Sequence, residues 1–290
     1  MDRLVDLHLH STCSDGILAP AEVVRLAAEA GLAAVALADH DNIEGTDEAL
    51  AAGREFGVEV LSAVELSVVA GNFSDVHLLG YGFDHHHPEL LAALREFRAF
   101  REGRNEQIVA RVNDRLAAEG REPIDFTAVR ALAGGTVGRP HIAMALMEKG
   151  YVRDRDDAFK RYLVPCNVPK RYFPVAEAID LVHRAGGVTV LAHPPYITPS
   201  RTAFRELLAD LIALGLEGIE VYNSGASRDD LDWYLTEARR HHLVVTGGSD
   251  FHGIERGEIT IGVGRGNLRI PYSCVEELRA ALGSRRDKGE

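Results

Sequence analysis

The sequence predicts an α/β fold in which a largely parallel sheet closes into a barrel. Two observations lead to this expectation. Short apolar runs alternate with longer helical segments along the 290 residues, and metal-binding residue types collect where the apolar runs end. Alternation of strand and helix is typical of parallel sheets with helices on their faces. The strand candidates are seven, at 4–10, 34–39, 58–64, 76–83, 188–192, 218–222 and 244–248.

Helix candidates lie between these strands, at 20–30, 46–56, 175–185, 201–214 and 228–241. Pro20 suits the first turn of the first helix, where a missing N–H breaks no hydrogen bond. From about 100 to 171 the alternation stops, and Ile108, Val112 and Leu116 recur at helical spacing. We therefore expect a barrel from 1–99 and 172–290, with a small helical insertion at 100–171 that caps the barrel mouth. The alternative is that this insertion only packs on the barrel side.

Imidazole and carboxylate side chains fall into short motifs at the predicted strand ends. Residues two apart in a strand point to the same side, so His8 and His10 face one way. Asp250 and His252 repeat this step at another strand end. Such groups are ligands of divalent metals, and nine are too many for one ion. The pattern indicates a multinuclear metal cluster, a kind of site that usually hydrolyses phosphate esters. The candidates are His8, His10, Asp15, His40, Glu65, His77, His193, Asp250 and His252.

Glu65 and His77 flank a predicted hairpin. Gly71 and Asn72 form a turn signal between two apolar runs. A turn centred on Gly71 would pair position 65 with position 77, so both side chains would share a face and could bind one ion. Each motif taken alone is more often a hydrogen-bonded core pair or a surface pair. Their joint placement at successive strand ends, where barrel chemistry collects, favours the metal site.

Composition limits the partners and the compartment. The formal charge of −12 argues against broad nucleic-acid binding, which depends on Lys and Arg meeting phosphates. Bound metals can still invert the local field for a phosphorylated substrate. Three cysteines without a Cys-x-x-Cys motif do not indicate a disulfide framework. The sequence shows no signal peptide and no apolar run that could span a membrane, so we expect a cytoplasmic enzyme.

From residue 4 to residue 252, these motifs resemble in order those of the polymerase and histidinol phosphatase (PHP) family of metal-dependent phosphoesterases. The resemblance implies a distorted seven-stranded β/α barrel with three divalent metals at one mouth. Manganese, iron and zinc all suit the ligands. The implied sets are His8, His10, Glu65 and Asp250 for the first metal, Glu65, His77 and His193 for the second, and Asp15, His40 and His252 for the third.

The predicted insertion contains one element that suits an anion. Pro140 fits the first position of a helix, and Arg139 would then stand at a helix start, where free amides favour negative charge. His141 follows within the first turn. Similar Arg-Pro-His segments occur in PHP members that act on nucleotides, so the resemblance implies a phosphate-binding role for Arg139 and His141. The plain alternative is a surface charge near a helix start.

The expected chemistry is attack on phosphorus by a metal-bridged hydroxide, with Glu65 bridging two metals and Arg139 neutralising the phosphate oxygens. The resemblance favours hydrolysis of the 3′-phosphate of nucleoside 3′,5′-bisphosphates, a reaction that turns pAp into AMP and phosphate. The alternatives are a 5′-3′ exoribonuclease on short 5′-phosphorylated RNA, a histidinol phosphate phosphatase and a non-catalytic metal-binding regulatory module.

We expect a small nucleotide or short RNA as partner, no membrane and no stable nucleic-acid partner. Tyr222, Asn223 and Ser224 are candidates for sugar or base contact, although strand-end Asn is usually turn chemistry.

Overall fold

The computed structural model describes residues 3–133, 137–253 and 259–288. Within these residues the chain forms two compact units. The first, called the barrel unit here, comprises Met1–Leu94 and Tyr172–Glu290, and the second, the helical unit, comprises Arg95–Arg171. Across the described residues, no helix is both long and apolar enough to cross a membrane.

The barrel unit is built on one sheet that is nearly closed into a barrel. Its strands are β1 Val5–Leu9, β2 Ala34–Leu37, β3 Glu59–Ala70, β4 Phe73–Tyr81, β5 Phe173–Pro174, β6 Val188–Leu191, β7 Gly218–Asn223 and β8 Val244–Gly248. They pair in the order β1-β2-β3-β4-β6-β7-β8, and the short β5 lies beside β3. Strand β4 runs antiparallel to β3 and β6, and the other neighbours on this path are parallel. The predicted α/β barrel of seven strands is confirmed.

The open side of the barrel is bridged just beyond the end of β8. The Asp250 N–H donates to the carbonyl of His8 at 3.0 Å, and the His10 N–H donates to the carbonyl of Phe251 at 2.9 Å. These bonds bring the two ends of the sheet together. They also place two of the predicted metal-binding motifs side by side.

Some helices lie around the sheet in the barrel unit, and others form the helical unit. They are α1 Pro20–Glu29, α2 Thr46–Phe56, α3 Pro88–Ala118, α4 Phe126–Ala133, α5 Arg139–Glu148, α6 Arg155–Ala158, α7 Val175–Arg184, α8 Arg201–Ala213, α9 Arg228–Arg240 and α10 Ser273–Lys288. Local sequence explains their ends and faces. Gly57 ends α2 with a φ of 73°, a left-handed conformation that glycine adopts without strain. Helix α7 buries Ala178, Ile179 and Val182, whose three- and four-residue spacing makes one apolar stripe.

The β3–β4 hairpin differs from the expected register. The turn consists of Gly71 and Asn72, and the pairing shifts once between Val68 and Ala70. As a result Glu65 pairs with Leu79, and His77 pairs with Ser67. The predicted pairing of positions 65 and 77 is therefore wrong by two residues. Because side chains alternate with a period of two, a shift of two keeps Glu65 and His77 on one face.

The helical unit has an apolar core of its own. Its fully buried members include Ile108, Val112 and Leu116 of α3, which recur at the spacing seen in the sequence. Ile142 and Leu146 of α5 belong to the same cluster. The unit begins at Arg95 and so includes the whole predicted insertion at 100–171. The assignment of this segment as a cap over the barrel mouth stays a prediction.

Candidate metal centre

All nine candidate ligands lie in the barrel unit, at or near one end of the sheet. His193 directly follows β6, and Asp250 and His252 follow β8. In β1 the side chains alternate, so that His8 turns to one side and Leu7 to the other. Glu65 and His77 come from the antiparallel pair β3 and β4. The parallel strands thus contribute residues from their carboxyl ends, where enzymes of barrel architecture usually carry their active sites.

The first predicted ligand set forms a compact group around one oxygen of Glu65. Oε2 of Glu65 lies 3.1 Å from Nε2 of His8 and 3.2 Å from Nε2 of His10. Oδ1 of Asp250 is 3.2 Å from the same His10 nitrogen and 3.7 Å from that of His8. These four ligand atoms lie within 4.8 Å of one another, a spacing that one metal ion can bridge.

The second predicted set gathers around the other oxygen of Glu65. Oε1 of Glu65 is 2.7 Å from Nδ1 of His77 and 2.9 Å from Nε2 of His193. The two imidazole nitrogens are 3.2 Å apart. His40 also approaches this carboxylate, with its Nδ1 3.1 Å from Oε2. The two oxygens of Glu65 therefore face two different groups, the arrangement that a bridging carboxylate requires.

The third predicted set is more open to solvent. Oδ1 of Asp15 is 3.3 Å from Nε2 of His252, and Oδ2 is 3.8 Å from Nε2 of His40. His10 also belongs to this group, since its Nδ1 lies 3.9 Å from Asp15. The His252 side chain is 36% exposed, whereas His8 and His10 are fully buried. The structure thus brings the nine residues together, and their roles as ligands stay a prediction.

Buried polar atoms without a hydrogen bond test whether these residues suit metal ions. Among the described residues, six of the eleven such atoms belong to the candidate ligands. A buried polar atom that lacks a partner costs free energy, so native structures seldom keep several together without a ligand. Imidazole nitrogen and carboxylate oxygen are donors that divalent metals accept. The donor set therefore fits metal ions. The atoms are Nε2 of His8, Nε2 of His10, Oδ1 of Asp15, Nδ1 of His40, Oε2 of Glu65 and Nδ1 of His193.

Electrostatics keep Glu65 ionised although it is buried. Burial alone would raise its pKa, but the imidazoles of His40, His77 and His8 outweigh burial and hold the pKa well below its usual range. Asp250 behaves in the same way, since nearby imidazoles lower its pKa against the effect of burial. Both carboxylates are thus charged near neutral pH. Two fixed negative charges at the centre of the cluster would attract cations.

Two histidines of the cluster show opposite pKa shifts. Burial would lower the pKa of His10, but the carboxylates of Asp250 and Glu65 raise it to about 10. For His40, burial prevails over the same kind of attraction and lowers the pKa to about 3. Burial thus disfavours the protonated form of His40, while His10 must lose a proton when it binds a metal.

Glu220 holds two of the candidate ligands in place, although the sequence analysis did not single it out. It is fully buried in β7. Its Oε1 lies 2.9 Å from Nδ1 of His8, and its Oε2 accepts the His193 N–H at 2.7 Å. A carboxylate on Nδ1 directs the other nitrogen of His8 toward the cluster. A charged residue inside an otherwise apolar strand was the signal that could have identified it.

Asp6 and Asp39 brace the loops that carry the ligands. Asp6 accepts the backbone N–H groups of Ser249 and Gly262, both at 2.8 Å, and burial raises its pKa to about 6. Asp39 accepts the N–H and the hydroxyl of Ser11 at 2.8 and 2.7 Å, and the hydroxyl of Ser14. These bonds fix the segment between β1 and α1 that carries Asp15. Asp6 also accepts the backbone N–H of His8, at 3.4 Å.

Backbone strain is concentrated at the same place. Four described residues other than glycine have positive φ, and three of them, Asp41, His193 and Asp250, lie at the cluster. His193 has a φ of 24° and a ψ of 64°, which turns the chain sharply at the end of β6. Such conformations cost free energy and persist at functional sites, where the surroundings enforce them.

Arg139 and His141 lie in the helical unit, at the start of α5. Arg139 is the first residue of this helix, and its guanidinium lies 5.4 Å from the centre of the Phe159 ring. Among the described residues, no carboxylate lies within ion-pair distance of Arg139. Nδ1 of His141 accepts the Gly138 N–H at 2.9 Å, so this nitrogen caps the helix. Their phosphate-binding role stays a prediction.

Comparisons with known proteins agree with this chemistry. A relative from Haemophilus influenzae named 5′-3′ exoribonuclease is 36% identical over 257 residues, 87% of this chain and 91% of the relative. A relative from Chromobacterium violaceum named 3′,5′-nucleoside bisphosphate phosphatase is 36% identical over 262 residues, 89% of this chain and 90% of the relative. A solved structure from Bifidobacterium adolescentis, assigned as a metal-dependent phosphoesterase, superposes with a TM-score of 0.81 at 34% identity and covers 96% of both chains.

The family profile of the PHP domain matches residues 6–163, more than half of the chain. The match begins in β1 and includes six of the nine candidate ligands. The family that the motifs resemble is confirmed. This chain belongs to the PHP domain family and is a metal-dependent phosphoesterase.

Proposed function

We propose that this chain hydrolyses the 3′-phosphate of nucleoside 3′,5′-bisphosphates, so that pAp yields AMP and phosphate. The observation that carries the proposal is the group of candidate ligands around both oxygens of Glu65, in which Nε2 of His8, Nε2 of His10 and Oε2 of Glu65 are buried without a hydrogen bond. The Chromobacterium violaceum relative supports the choice of substrate by its name. A small nucleotide also suits a chain with a formal charge of −12, because long polyanions are repelled at low salt.

Three divalent ions, of manganese, iron or zinc, are the proposed cofactors. His8, His10, Glu65 and Asp250 would hold the first, Glu65, His77 and His193 the second, and Asp15, His40 and His252 the third. When bound, such ions supply an activated water molecule and positive charge beside the phosphate.

The residues of the chain then orient the reaction. The carboxylate of Glu65 faces both inner groups and fixes their separation. Glu220 keeps the ring of His8 in one orientation through Nδ1 and anchors the backbone of His193. Because His8, His10 and Glu65 are fully buried, the floor of the site excludes bulk water, and its charges act with little screening.

Arg139 and His141 are the proposed phosphate-binding residues of the helical unit. The N-terminus of α5 presents the positive end of the helix dipole. The Arg139 guanidinium has no described carboxylate partner, so its donors are not committed to an ion pair. Together these features favour an anion near the start of α5.

The second candidate function is 5′-3′ exonucleolytic cleavage of short 5′-phosphorylated RNA. The relatives from Haemophilus influenzae and Escherichia coli, which are 36% and 33% identical, carry this name. Both reactions hydrolyse a phosphate ester, and the same ligand cluster would serve either. The difference lies in how long a substrate the site admits.

Phosphate or nucleotide release with added manganese separates the candidates. Purified protein is incubated with pAp, a short 5′-phosphorylated RNA and histidinol phosphate at several salt concentrations. The proposal predicts a much higher kcat/KM for pAp, and a disadvantage of the RNA that shrinks as salt screens repulsion. Equal or greater efficiency on the RNA would move the assignment to the exoribonuclease, and turnover of histidinol phosphate alone would reject both.

A further inference from the structure

Tyr196 is an exposed aromatic residue beside the metal centre. It ends the short 3₁₀ helix Pro194–Tyr196 that follows His193, and 59% of its surface is accessible. Its ring centre lies 5.6 Å from that of His193, at an interplanar angle of 61°. The edge of one ring thus meets the face of the other, so Tyr196 touches a candidate ligand and presents its remaining surface to solvent.

The ring is exposed but well fixed. The Tyr196 N–H donates to the carbonyl of His193 at 3.1 Å, and the two preceding prolines restrict the backbone. The ring of Tyr196 packs against Gly225, which has no side chain. A Cβ added at Gly225 would lie 2.6 Å from the phenol carbon and oxygen of Tyr196, so only glycine leaves room for the ring there. An exposed side chain that its neighbours already restrain loses little further conformational entropy when a ligand covers it.

Tyr222, Asn223 and Ser224, which the sequence suggested for sugar or base contact, make contacts within the protein instead. A Cβ at Gly247 would lie 2.4 Å from Cβ of Tyr222, so these two strand residues are closely packed. Asn223 accepts the Gly225 N–H at 3.0 Å, which is turn chemistry. Ser224 is buried and donates its hydroxyl to the carbonyl of Ser249 at 2.7 Å. Tyr196, by contrast, is exposed, and its ring lies beside Gly225, which follows these three residues in the chain.

We propose that Tyr196 is a platform on which the base of the nucleotide stacks while its phosphate lies at the metal centre. This inference rests on the proposed function, since it requires a nucleotide substrate. Base stacking on an aromatic side chain tolerates any base, because each base has a π face. Tyr196 would therefore select nucleotides over phosphorylated sugars without selecting among bases.

The test compares AMP, the expected product, with ribose 5-phosphate, in which a hydroxyl replaces the base. Isothermal titration calorimetry on manganese-loaded protein measures both dissociation constants for the wild type, Tyr196→Ala and Tyr196→Phe. We expect Tyr196→Ala to weaken AMP binding by about 5- to 150-fold and to leave ribose 5-phosphate unchanged. Tyr196→Phe should retain most of the AMP affinity, because stacking needs the ring and not the hydroxyl.

Phe56→Ala is the matched control. Phe56 is also an exposed aromatic, 37% accessible, but it ends α2 just before the start of β3, away from the strand ends that carry the ligands. It should change neither affinity. Equal wild-type affinity for AMP and ribose 5-phosphate, or an equal loss of both in Tyr196→Ala, would overturn the platform. A wild type that prefers AMP, together with a Tyr196→Ala variant that loses this preference, would keep the platform even if no phosphate is released from pAp, a result that would reject the proposed function.

Discussion

The helical unit and the metal centre differ in how their polar atoms are satisfied, although the helical unit also keeps one described buried atom without a hydrogen bond, Oδ1 of Asn105. In the helical unit, Nε of Arg104 donates to the carbonyl of Val168, and another guanidinium nitrogen donates to Oδ1 of Asn167, both at 2.8 Å. Asn113 likewise donates to the carbonyl of Ile124 and accepts its N–H, both at 2.9 Å. In the metal centre, by contrast, several buried atoms have no hydrogen bond, among them Nε2 of His8, Nε2 of His10 and Oε2 of Glu65.

This difference separates structural from functional polarity. A polar group that only supports the fold is paired within the chain, because an unpaired one would lower stability. A group that binds a ligand keeps its lone pair free when no ligand is bound. Neighbouring interactions must then offset the resulting loss of stability. Here Glu220, Asp6 and Asp39 do so by pairing with the backbone and rings around the cluster. Four variants test this distinction.

The largest effect is expected for Glu65→Gln. A neutral amide at this position removes the charge that both inner groups share, so hydrolysis should fall by at least about 1000-fold. Circular dichroism should match the wild type, because the barrel core does not depend on this side chain. Glu237→Gln is a control at another fully buried glutamate, on α9. Ordinary turnover by Glu65→Gln would show that the bridge is wrongly placed.

Arg139→Ala asks whether the helical unit takes part in the chemistry. A charge-assisted bond to a substrate phosphate is worth roughly 2–5 kcal/mol, so kcat/KM on pAp should fall about 30-fold or more. Arg139→Lys should recover only part, since a point charge cannot copy a planar fork. Arg153→Ala, an exposed arginine of the same unit, should have no effect. Activity of Arg139→Ala within a factor of about two would leave the helical unit as structure alone.

Glu220→Gln tests the residues behind the ligands. Loss of a carboxylate partner on a ligand imidazole typically lowers metal affinity by about 10- to 100-fold. We expect competitive chelator titration to show this loss, with restored activity at high manganese concentration. Unchanged metal affinity would mean that the Glu220 contact with His8 serves only packing.

Asn113→Ala should have the smallest effect and no functional one. It removes two hydrogen bonds to Ile124, which should cost about 1–3 kcal/mol in the free energy of unfolding. Gln107→Ala, at an exposed position of the same helix, should stay within about 0.5 kcal/mol. Urea unfolding measures both. If Asn113→Ala also lost metal, the contrast between the units would fail.

The sequence predicted the barrel well because its strands are short, apolar and separated by clear helical segments. It placed β3 at 58–64, whereas the strand is Glu59–Ala70. The predicted end was wrong because apolar residues continue beyond 64 and no local signal marks where the strand ends. The hairpin register escaped prediction because the shift between Val68 and Ala70 depends on tertiary contacts. The two-residue strand β5 is too short to leave a pattern.

For the site, residue type and strand position were enough to find the nine candidate ligands. The supporting residues were missed because a single sequence does not reveal partners distant along the chain. Glu220 and His8, for example, are 212 positions apart. The exposure of Tyr196 likewise depends on tertiary structure, which no local pattern records.

The central claim is that the barrel unit holds a multinuclear metal centre, and metal content tests it most directly. Protein purified without chelator, and a second sample soaked in manganese and then desalted, are analysed by inductively coupled plasma mass spectrometry. Glu65→Gln serves as a variant with a weakened centre. The structure predicts more than one divalent metal per wild-type chain and fewer in the variant. One metal or none in wild-type protein, even after soaking, would contradict the account.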